Sequence, residues 1–351
     1  MDFSLVFIGT IVLPKKGAMA LLQDIFIGAT QGAKDASRFY DENYSSIAQW
    51  ILEPAKKVIL RSSQTGICRF CDLRIPNVTF KNEAHAIPEC LGNRSLTTDY
   101  ECDGCNRFFG TGIENDFGNW SKPQRTVSRI RGKKGVPTLK KGSSGGWRIE
   151  HGPAGLEVTQ YEDDPVAIVN EAAHEIVLTL RRDPYTPVAV LKAFAKMALS
   201  LLPEEELPNF RAAMAWIRNT DHQVGLVANT FPVLHSFVPG DDPFVSIAAI
   251  LLRRRADHLR VPYLTFVLTY GNEVFQTVLP SPERDTAISN QKIKFRYFPT
   301  PYELLEPVAP MRRELIDLTG RSPVVGETIQ TVMSYELSPR DEREGLVRRG
   351  S

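Results

Sequence analysis

The amino-acid sequence predicts an α+β protein in which a small metal-stabilised module precedes a larger α+β domain. Two CxxC pairs, Cys68–Cys71 and Cys102–Cys105, indicate the module. A helical spacing of apolar residues between 165 and 217, followed by a hairpin pattern between 261 and 279, indicates the domain. The chain has 351 residues and ordinary apolar and charged fractions, so it is long enough for both.

Residues 1–66 are interpreted as an N-terminal extension made of a strand and a helix. The apolar run over residues 3–13 lacks a clear small-residue cleavage site, and a bilayer span needs roughly 20 residues, so a buried strand is expected there. A helix is expected within residues 36–60, and Pro54 must end or kink it.

Residues 67–149 are interpreted as the metal module with an attached basic tract. Two CxxC turns can bring four thiolates to one tetrahedral ion, so a structural zinc is expected on Cys68, Cys71, Cys102 and Cys105. Cys90 is the fifth cysteine and stands alone. An odd number of cysteines, four of them at metal spacing, is typical of a reducing compartment, so a cytoplasmic location is expected.

The interval between the CxxC pairs is longer than a plain zinc ribbon needs and contains His85. A neutral imidazole can accept a proton from water, as a general base must, although a lone histidine is often only a packed residue. Asn106 directly follows the last cysteine, at the expected start of a helix. Its side-chain oxygen could bind a divalent ion or cap the helix.

A basic tract follows the cysteines. Residues 117–148 contain no Asp or Glu, although the net charge of the whole chain is only +1. Such a tract can neutralise phosphates without reading bases. The flanking Trp120 and Trp147 could stack on bases, and a solvated loop with two packed tryptophans is the alternative. The expected nucleic-acid ligands are Lys122, Arg125, Arg129, Arg131, Lys133, Lys134, Lys140 and Lys141.

Residues 150–351 are interpreted as an α+β domain for dimerisation, targeting or regulation. A homodimer and a regulatory ligand or partner at this domain are therefore expected possibilities. Apolar spacing and β-propensity predict three helices (165–182, 188–202 and one around 210–217), a β-prone segment (223–231), a hairpin (261–268 with 273–279) and a further strand (292–298).

The segments 84–93 and 102–110 together resemble the HNH endonuclease family, in the subtype with a zinc-bound CxxC…CxxC frame and a terminal asparagine. The resemblance covers about residues 66–120 and implies a ββα-metal fold. It implies hydrolysis of DNA phosphodiester bonds with Mg or Mn, with RNA kept as a second substrate, and an association with restriction or phage defence. His85 would be the general base that activates water, and Asn106 would help to hold the ion.

Asn93 is the best match to the family's middle asparagine, with Asp99 and Asn82 as weaker choices. One departure concerns the position before His85, which is Ala84, whereas many family members have an acidic metal ligand there. Two other carboxylates, those of Glu83 and Glu114, are candidate ligands of the catalytic ion.

Glu83 would share a face with His85 if the segment is extended. Glu114, eight residues after Asn106 on one helix, would lie about 80° around its axis. Each could instead be an ordinary solvated or ion-paired residue.

Two alternatives to a nuclease follow from the sequence. The first is a catalytically inactive, zinc-stabilised nucleic-acid-binding protein, for which Ala84 is the main argument. The second is a sensor or interaction protein whose C-terminal domain controls the nuclease. No membrane association is expected.

Overall fold

A computed structural model of the protein describes residues 31–141, 146–152, 155–161, 164–225, 232–240, 244–288, 295–300, 303 and 311–334. The strand expected at residues 3–13 lies outside these ranges. The α-helices are α1 (Gln31–Asn43), α2 (Asp103–Thr111), α3 (Ile113–Val127), α4 (Pro187–Leu201) and α5 (Arg211–Arg218). The strands of the N-terminal half are β1 (Tyr44–Ile51), β2 (Val58–Leu60), β3 (Ala84–His85), β4 (Leu96–Thr98), β5 (Leu139–Lys140), β6 (Arg148–Gly152) and β7 (Gly155–Thr159). The later strands are β8 (Ala167–Asn170), β9 (Glu175–Arg181), β10 (Val233–Phe237), β11 (Phe244–Arg254), β12 (Leu264–Gly271), β13 (Glu273–Leu279), β14 (Arg312–Ile316) and β15 (Thr328–Ser334). This mixture of helices and antiparallel sheets confirms the predicted α+β class.

The largest sheet has six strands in the order β1-β11-β12-β13-β10-β14, with every neighbouring pair antiparallel. The predicted hairpin is present as β12 and β13. The strand β1 comes from the N-terminal segment and pairs with β11 from Tyr44↔Arg254 to Ile51↔Ala248. The helix expected over residues 36–60 therefore ends at Asn43. The reason is tertiary, since backbone pairing with β11 overrides the local preference of the segment.

A second, smaller sheet belongs to the cysteine module. Strand β4 lies at its centre, parallel to β2 and antiparallel to β3. The helix α2 begins after Cys102, whose sulfur accepts a hydrogen bond from the backbone N–H of Cys105. At Gly112 the backbone leaves the helical region, with φ −105° and ψ −107°, so α2 and α3 are two separate helices.

The helix α4 joins this module to the large sheet. Every residue of α4 is buried, and Pro187 occupies its first turn, where the missing N–H costs nothing. Phe194 of α4 packs edge to face on Phe117 and Trp120 of α3 and contacts Phe275 of β13. The hydrophobic core is therefore continuous from the module into the later strands. The division of the chain at residue 150 stays a prediction, whereas the predicted helices at 188–202 and 210–217 are confirmed as α4 and α5.

The helix predicted over residues 165–182 is wrong, since β8 and β9 form a sheet there with β15. Burial alternates along β9, where Ile176, Leu178 and Leu180 are buried. Most of the predicted β-prone segment 223–231 and residues 292–294 of the strand predicted over 292–298 lie outside the described residues. Residues 295–298 are described and form no strand, so that part of the prediction is wrong. Among the helices that the structure describes, none has the length and apolar character needed to cross a membrane.

Candidate active site

The four paired cysteines converge on one point. Their sulfur atoms all lie within 4.8 Å of one another, and Cys71 Sγ is 3.8 Å from Cys102 Sγ. A tetrahedral ion with metal–sulfur bonds of about 2.3 Å requires sulfur atoms about 3.8 Å apart, so the donor set fits zinc. The backbone N–H of Cys102 points to Cys68 Sγ at 3.4 Å and favours the thiolate form. The predicted four-cysteine metal site is confirmed.

Asn93 holds the loop that follows His85. Its amide nitrogen donates to the carbonyl oxygens of Ile87 at 2.7 Å and Leu96 at 2.9 Å. Its amide oxygen accepts from the backbone N–H groups of Ser95 at 3.1 Å and Leu96 at 2.9 Å. All the hydrogen-bonding capacity of this buried side chain thus braces one loop.

The two weaker asparagine-position candidates make other contacts. Asn82 bonds through its side chain to Asp103 at 3.0 Å, and Asp99 accepts a bond from the backbone N–H of Ser62 at 3.0 Å. Neither side chain spans the loop between β3 and β4 as Asn93 does.

His85 lies at the end of β3 and faces an open cavity of about 840 Å³. Of the five residues predicted for catalysis or for the catalytic ion, four are brought together in this cavity, namely Glu83, His85, Asn106 and Glu114. Glu89 is a further carboxylate in the cavity wall that the sequence reasoning missed. The only sequence feature that could have pointed to Glu89 is its position directly after Pro88. The remaining wall residues are Lys81, Asn82, Arg94 and Lys133.

The surroundings of His85 favour the neutral imidazole. Burial lowers the pKa of His85, and the positive charge of Lys196 lowers it further, while the carboxylates of Glu89 and Glu114 oppose the shift. An imidazole with a lowered pKa is unprotonated at neutral pH and is therefore able to accept a proton.

Lys196 of α4 is a second residue that the sequence reasoning missed. Its ammonium group donates to the main-chain oxygen of His85 at 3.1 Å and pairs with Glu101 at 3.0 Å and Glu114 at 2.9 Å. The side chain is only 1% exposed, so this is a buried ionic network directly behind the histidine. Its only sequence signal was a lysine inside an otherwise apolar helix.

Arg69, between the first two cysteines, also ties the metal site to α4. Its guanidinium group donates to the carbonyl oxygens of Leu199, Ser200 and Leu202 at 3.1, 3.2 and 2.9 Å. These carbonyl groups at the C-terminal end of α4 have no partner within the helix, and a cation is favoured there. The module is thus fixed to α4 by Lys196, by Arg69 and by the Tyr100 hydroxyl, which donates to the Ser200 carbonyl oxygen.

Asn106 is not the helix cap, since Cys102 occupies that position. The Asn106 amide nitrogen donates to the main-chain oxygen of Glu83 at 3.3 Å, which leaves its side-chain oxygen toward the cavity. The carboxylate of Glu83 is exposed and pairs with Lys57 at 3.0 Å.

The expectation that Glu114 shares one helix with Asn106 is wrong, because the helix is interrupted at Gly112. Glu114 nevertheless reaches the same cavity from α3.

The predicted basic ligands divide into three groups. Lys122 pairs with Asp183 and Lys141 with Asp164, both at 2.7 Å. Arg125 is buried and donates to Ser121 and to the Gly118 carbonyl, so the expectation that it contacts phosphate is wrong. The members that are exposed and form no ion pair with a described residue are Arg129, Arg131, Lys133, Lys134 and Lys140.

The expectation that the two tryptophans stack on bases is also wrong. Trp120 is completely buried on α3 and Trp147 is 5% exposed, so both belong to the hydrophobic core. The basic tract starts inside α3 instead of in a loop, and the inner face of that helix takes Trp120. The alternative of two packed tryptophans is therefore the correct one.

No other group of three or more His, Cys, Asp or Glu side chains within the described ranges has its ligand atoms as close together as the four cysteines. The model of the HNH endonuclease family matches residues 68–121, which include both CxxC pairs, His85 and Asn106. No curated protein and no solved structure gives a significant match to the chain.

Proposed function

We propose that this protein, whose residues 68–121 form an HNH endonuclease domain, is a metal-dependent nuclease that hydrolyses phosphodiester bonds of DNA. The observation that carries the proposal is the placement of a half-buried His85, whose pKa is lowered, beside Asn106 and three carboxylates in one open cavity. The family resemblance adds a role in restriction or phage defence to the proposal, and the cysteine pattern adds a cytoplasmic location.

His85 is the proposed general base. A water molecule in the cavity gives its proton to the imidazole and attacks phosphorus in line with the departing 3′ oxygen. The hydrogen bonds of Lys196 and Asn93 hold the His85 carbonyl group and the loop that follows it, so the imidazole stays in one position during the reaction. The four cysteines have no part in the chemistry and stabilise the fold around the loop.

The cavity fits a catalytic Mg²⁺ or Mn²⁺ by its donor chemistry. Carboxylate and amide oxygens are the ligands these ions prefer, and Glu83, Glu89, Glu114 and Asn106 supply them. Magnesium typically uses only one or two protein carboxylates together with phosphate and water, so a preassembled set of three is not required. When bound, the ion supplies positive charge that stabilises the reacting phosphate and the departing oxygen.

The test is cleavage of supercoiled plasmid by the purified protein in Mg²⁺ and in Mn²⁺, with His85→Ala as the inactive control. The wild type is expected to nick or linearise the plasmid, and the variant to bind it without cleavage. Intact plasmid with both proteins, across both metals and several salt concentrations, would favour an inactive nucleic-acid-binding protein. Cleavage only after addition of a small molecule or a partner protein would favour the sensor alternative.

A further inference from the structure

A second cavity of about 390 Å³ lies beside the proposed catalytic cavity, and Arg94 lines both. Arg129 and Arg131 line the second cavity as well, together with the serines Ser95 and Ser246. Its lining residues include no Asp or Glu, in contrast to the three carboxylates of the catalytic cavity. Its volume falls within the roughly 300–1,000 Å³ that is typical of ligand sites.

The three arginines are free of ionic partners. Within the described part of the chain, none of them forms an ion pair with a carboxylate, whereas Lys122, Lys141 and Arg148 of the same basic tract all do. Arg94 donates one bond to the Gly132 carbonyl oxygen at 3.3 Å, and its other N–H groups stay available. Three uncompensated guanidinium groups therefore face one cavity.

Close packing fixes the segment that carries Arg129 and Arg131. On one side, a Cβ at Gly132 would lie 3.1 Å from Cys90 Cα in the loop after His85. On the other side, a Cβ at Gly271 would lie 3.1 Å from Ile130 Cδ1. Gly271 has φ +54°, a left-handed conformation that favours glycine.

A hydrogen bond adds to this packing, since Ser128 Oγ donates to Asn272 Oδ1 at 2.9 Å. The arginine segment is therefore held between the histidine loop and the β12–β13 hairpin. Its position is fixed relative to both cavities, as a binding site for a rigid ligand requires.

We propose that Arg94, Arg129 and Arg131 form a phosphate-binding subsite for the backbone of the DNA strand held in the catalytic cavity. Guanidinium groups bind phosphate oxygens in pairs, and a cavity lined without carboxylates suits an anion. Because Arg94 lines both cavities, a strand cut beside His85 continues into the subsite. This inference rests on the proposed nuclease function.

The subsite also gives residues beyond 150 a direct role at the DNA interface. Val245 and Ser246 of β11 and Gly271 of β12 form its far wall. Val245 is 79% exposed, and it lies where the sugar or base attached to a bound phosphate would contact the protein. The large sheet therefore takes part in binding the substrate in addition to packing on α4.

The experiment measures binding of a fluorescent DNA duplex by anisotropy, in the full chain with His85→Ala so that the DNA stays intact. The test variant adds Arg129→Gln and Arg131→Gln, which lie outside the catalytic cavity. The matched control adds Arg181→Gln and Arg255→Gln instead, since both arginines are exposed and line neither cavity. All three proteins are measured over a series of KCl concentrations.

The test variant is expected to bind about tenfold more weakly at moderate salt. The slope of log K against log salt should fall by about 0.9 for each lost phosphate contact. The control double variant should match its parent in both quantities, and all proteins should share one melting temperature. Equal losses in the test and control variants would overturn the subsite, since only general charge would then matter.

The results can refute the phosphate-binding subsite without refuting the nuclease activity, and the reverse also holds. A selective loss in the test variant supports the subsite even if the His85-containing protein proves unable to cleave, which would count against catalysis alone. Active cleavage with unchanged affinity and salt slope in the test variant would refute the subsite alone. Binding of RNA but not of DNA would overturn DNA as the ligand.

Discussion

The Lys196 ammonium group donates a hydrogen bond to the main-chain oxygen of His85 at 3.1 Å, across a sequence separation of 111 residues. The backbone of the proposed general base is therefore held by α4, a helix that lies outside the residues matched by the HNH endonuclease model. Burial alone would lower the pKa of Lys196, but the carboxylates of Glu101 and Glu114 outweigh it and keep the lysine charged. The same network neutralises the buried carboxylate of Glu101 and the half-buried carboxylate of Glu114.

Replacement of this lysine should affect both stability and catalysis. Lys196→Met leaves Glu101 and Glu114 without their cation, and breaking a buried pair in this way costs about 3–5 kcal/mol. Release of the His85 backbone should lower kcat by up to about 100-fold with little change in KM, because the base is misplaced by a small distance. Chemical denaturation and single-turnover cleavage measure the two effects.

Lys192→Met is the matched control for that variant. Lys192 lies one turn earlier on α4, is equally buried and donates to the Asn219 carbonyl oxygen at 2.7 Å. It forms no ion pair with a carboxylate among the described residues. The Lys192→Met variant should be less stable than the wild type, but its kcat should not fall specifically. A Lys196→Met protein that is destabilised but cleaves at the wild-type rate at low temperature would show that Lys196 supports only the fold.

The carboxylates of the cavity should differ in their effect on metal dependence. Glu89→Gln removes a negative charge from the cavity wall and should raise the Mg²⁺ concentration for half-maximal cleavage by about tenfold. Asp72→Asn, at an acidic residue that does not line this cavity, serves as the control. The measurement is the cleavage rate of the wild type and of both variants as a function of Mg²⁺ concentration. If the Glu89→Gln and wild-type curves coincide, Glu89 does not bind the metal.

Loss of one cysteine ligand should unfold the module. Cys105→Ser should lower the zinc content measured by mass spectrometry and reduce the melting temperature, because a structural zinc contributes folding free energy. Cys90→Ser should retain the metal, since Cys90 lies outside the four-sulfur group. Full zinc occupancy in the Cys105→Ser protein would contradict a four-thiolate site.

The large sheet contains a histidine whose protonation should stabilise the fold. His235 contacts Glu273 through Nε2 and Glu314 through Nδ1, the latter at 3.0 Å. Both ring nitrogens must carry a proton to donate to two carboxylates. Burial alone would lower the pKa of His235, but the bonds to Glu273 and Glu314 raise it to about 9.

Because this pKa lies above the unfolded value, the stabilisation is complete below about pH 6.5 and is lost as the pH rises through about 9. It should amount to roughly 3 kcal/mol. Urea denaturation between pH 6 and pH 10 should show this decline in the wild type and a flatter profile in His235→Gln. Substitution of the exposed His258 by Gln is the control. Parallel profiles for wild type and His235→Gln would exclude the ion pair as the cause.

The sequence predicted the site better than the fold around it. The cysteine spacing and the His85 motif are local signals, and the residues that they indicate do converge. Lys196 was missed because its role depends on the packing of α4 against the module, which no local pattern encodes. Glu114 was predicted with the wrong reasoning, since the helix phase it relied on ends at Gly112.

The incorrect prediction of a helix over residues 165–182 shows a second limit of prediction from local sequence patterns. The apolar residues there fit a helical spacing, but Ile176, Leu178 and Leu180 also fit a strand with one buried face. A short apolar segment satisfies both periods, and β-branched residues favour the strand. Pairing of β9 with β15, from near the end of the described chain, decides between them.

The position of Lys196 has a consequence for the order in which the chain is made. During synthesis, residues 68–121 leave the ribosome well before α4 and before the strand β11 that pairs with β1. A nascent chain that ends before residue 196 holds the cysteines, His85 and Asn106 but lacks the lysine that fixes the histidine backbone. If the proposed nuclease activity depends on that contact, it would therefore arise only after α4 has folded onto the module.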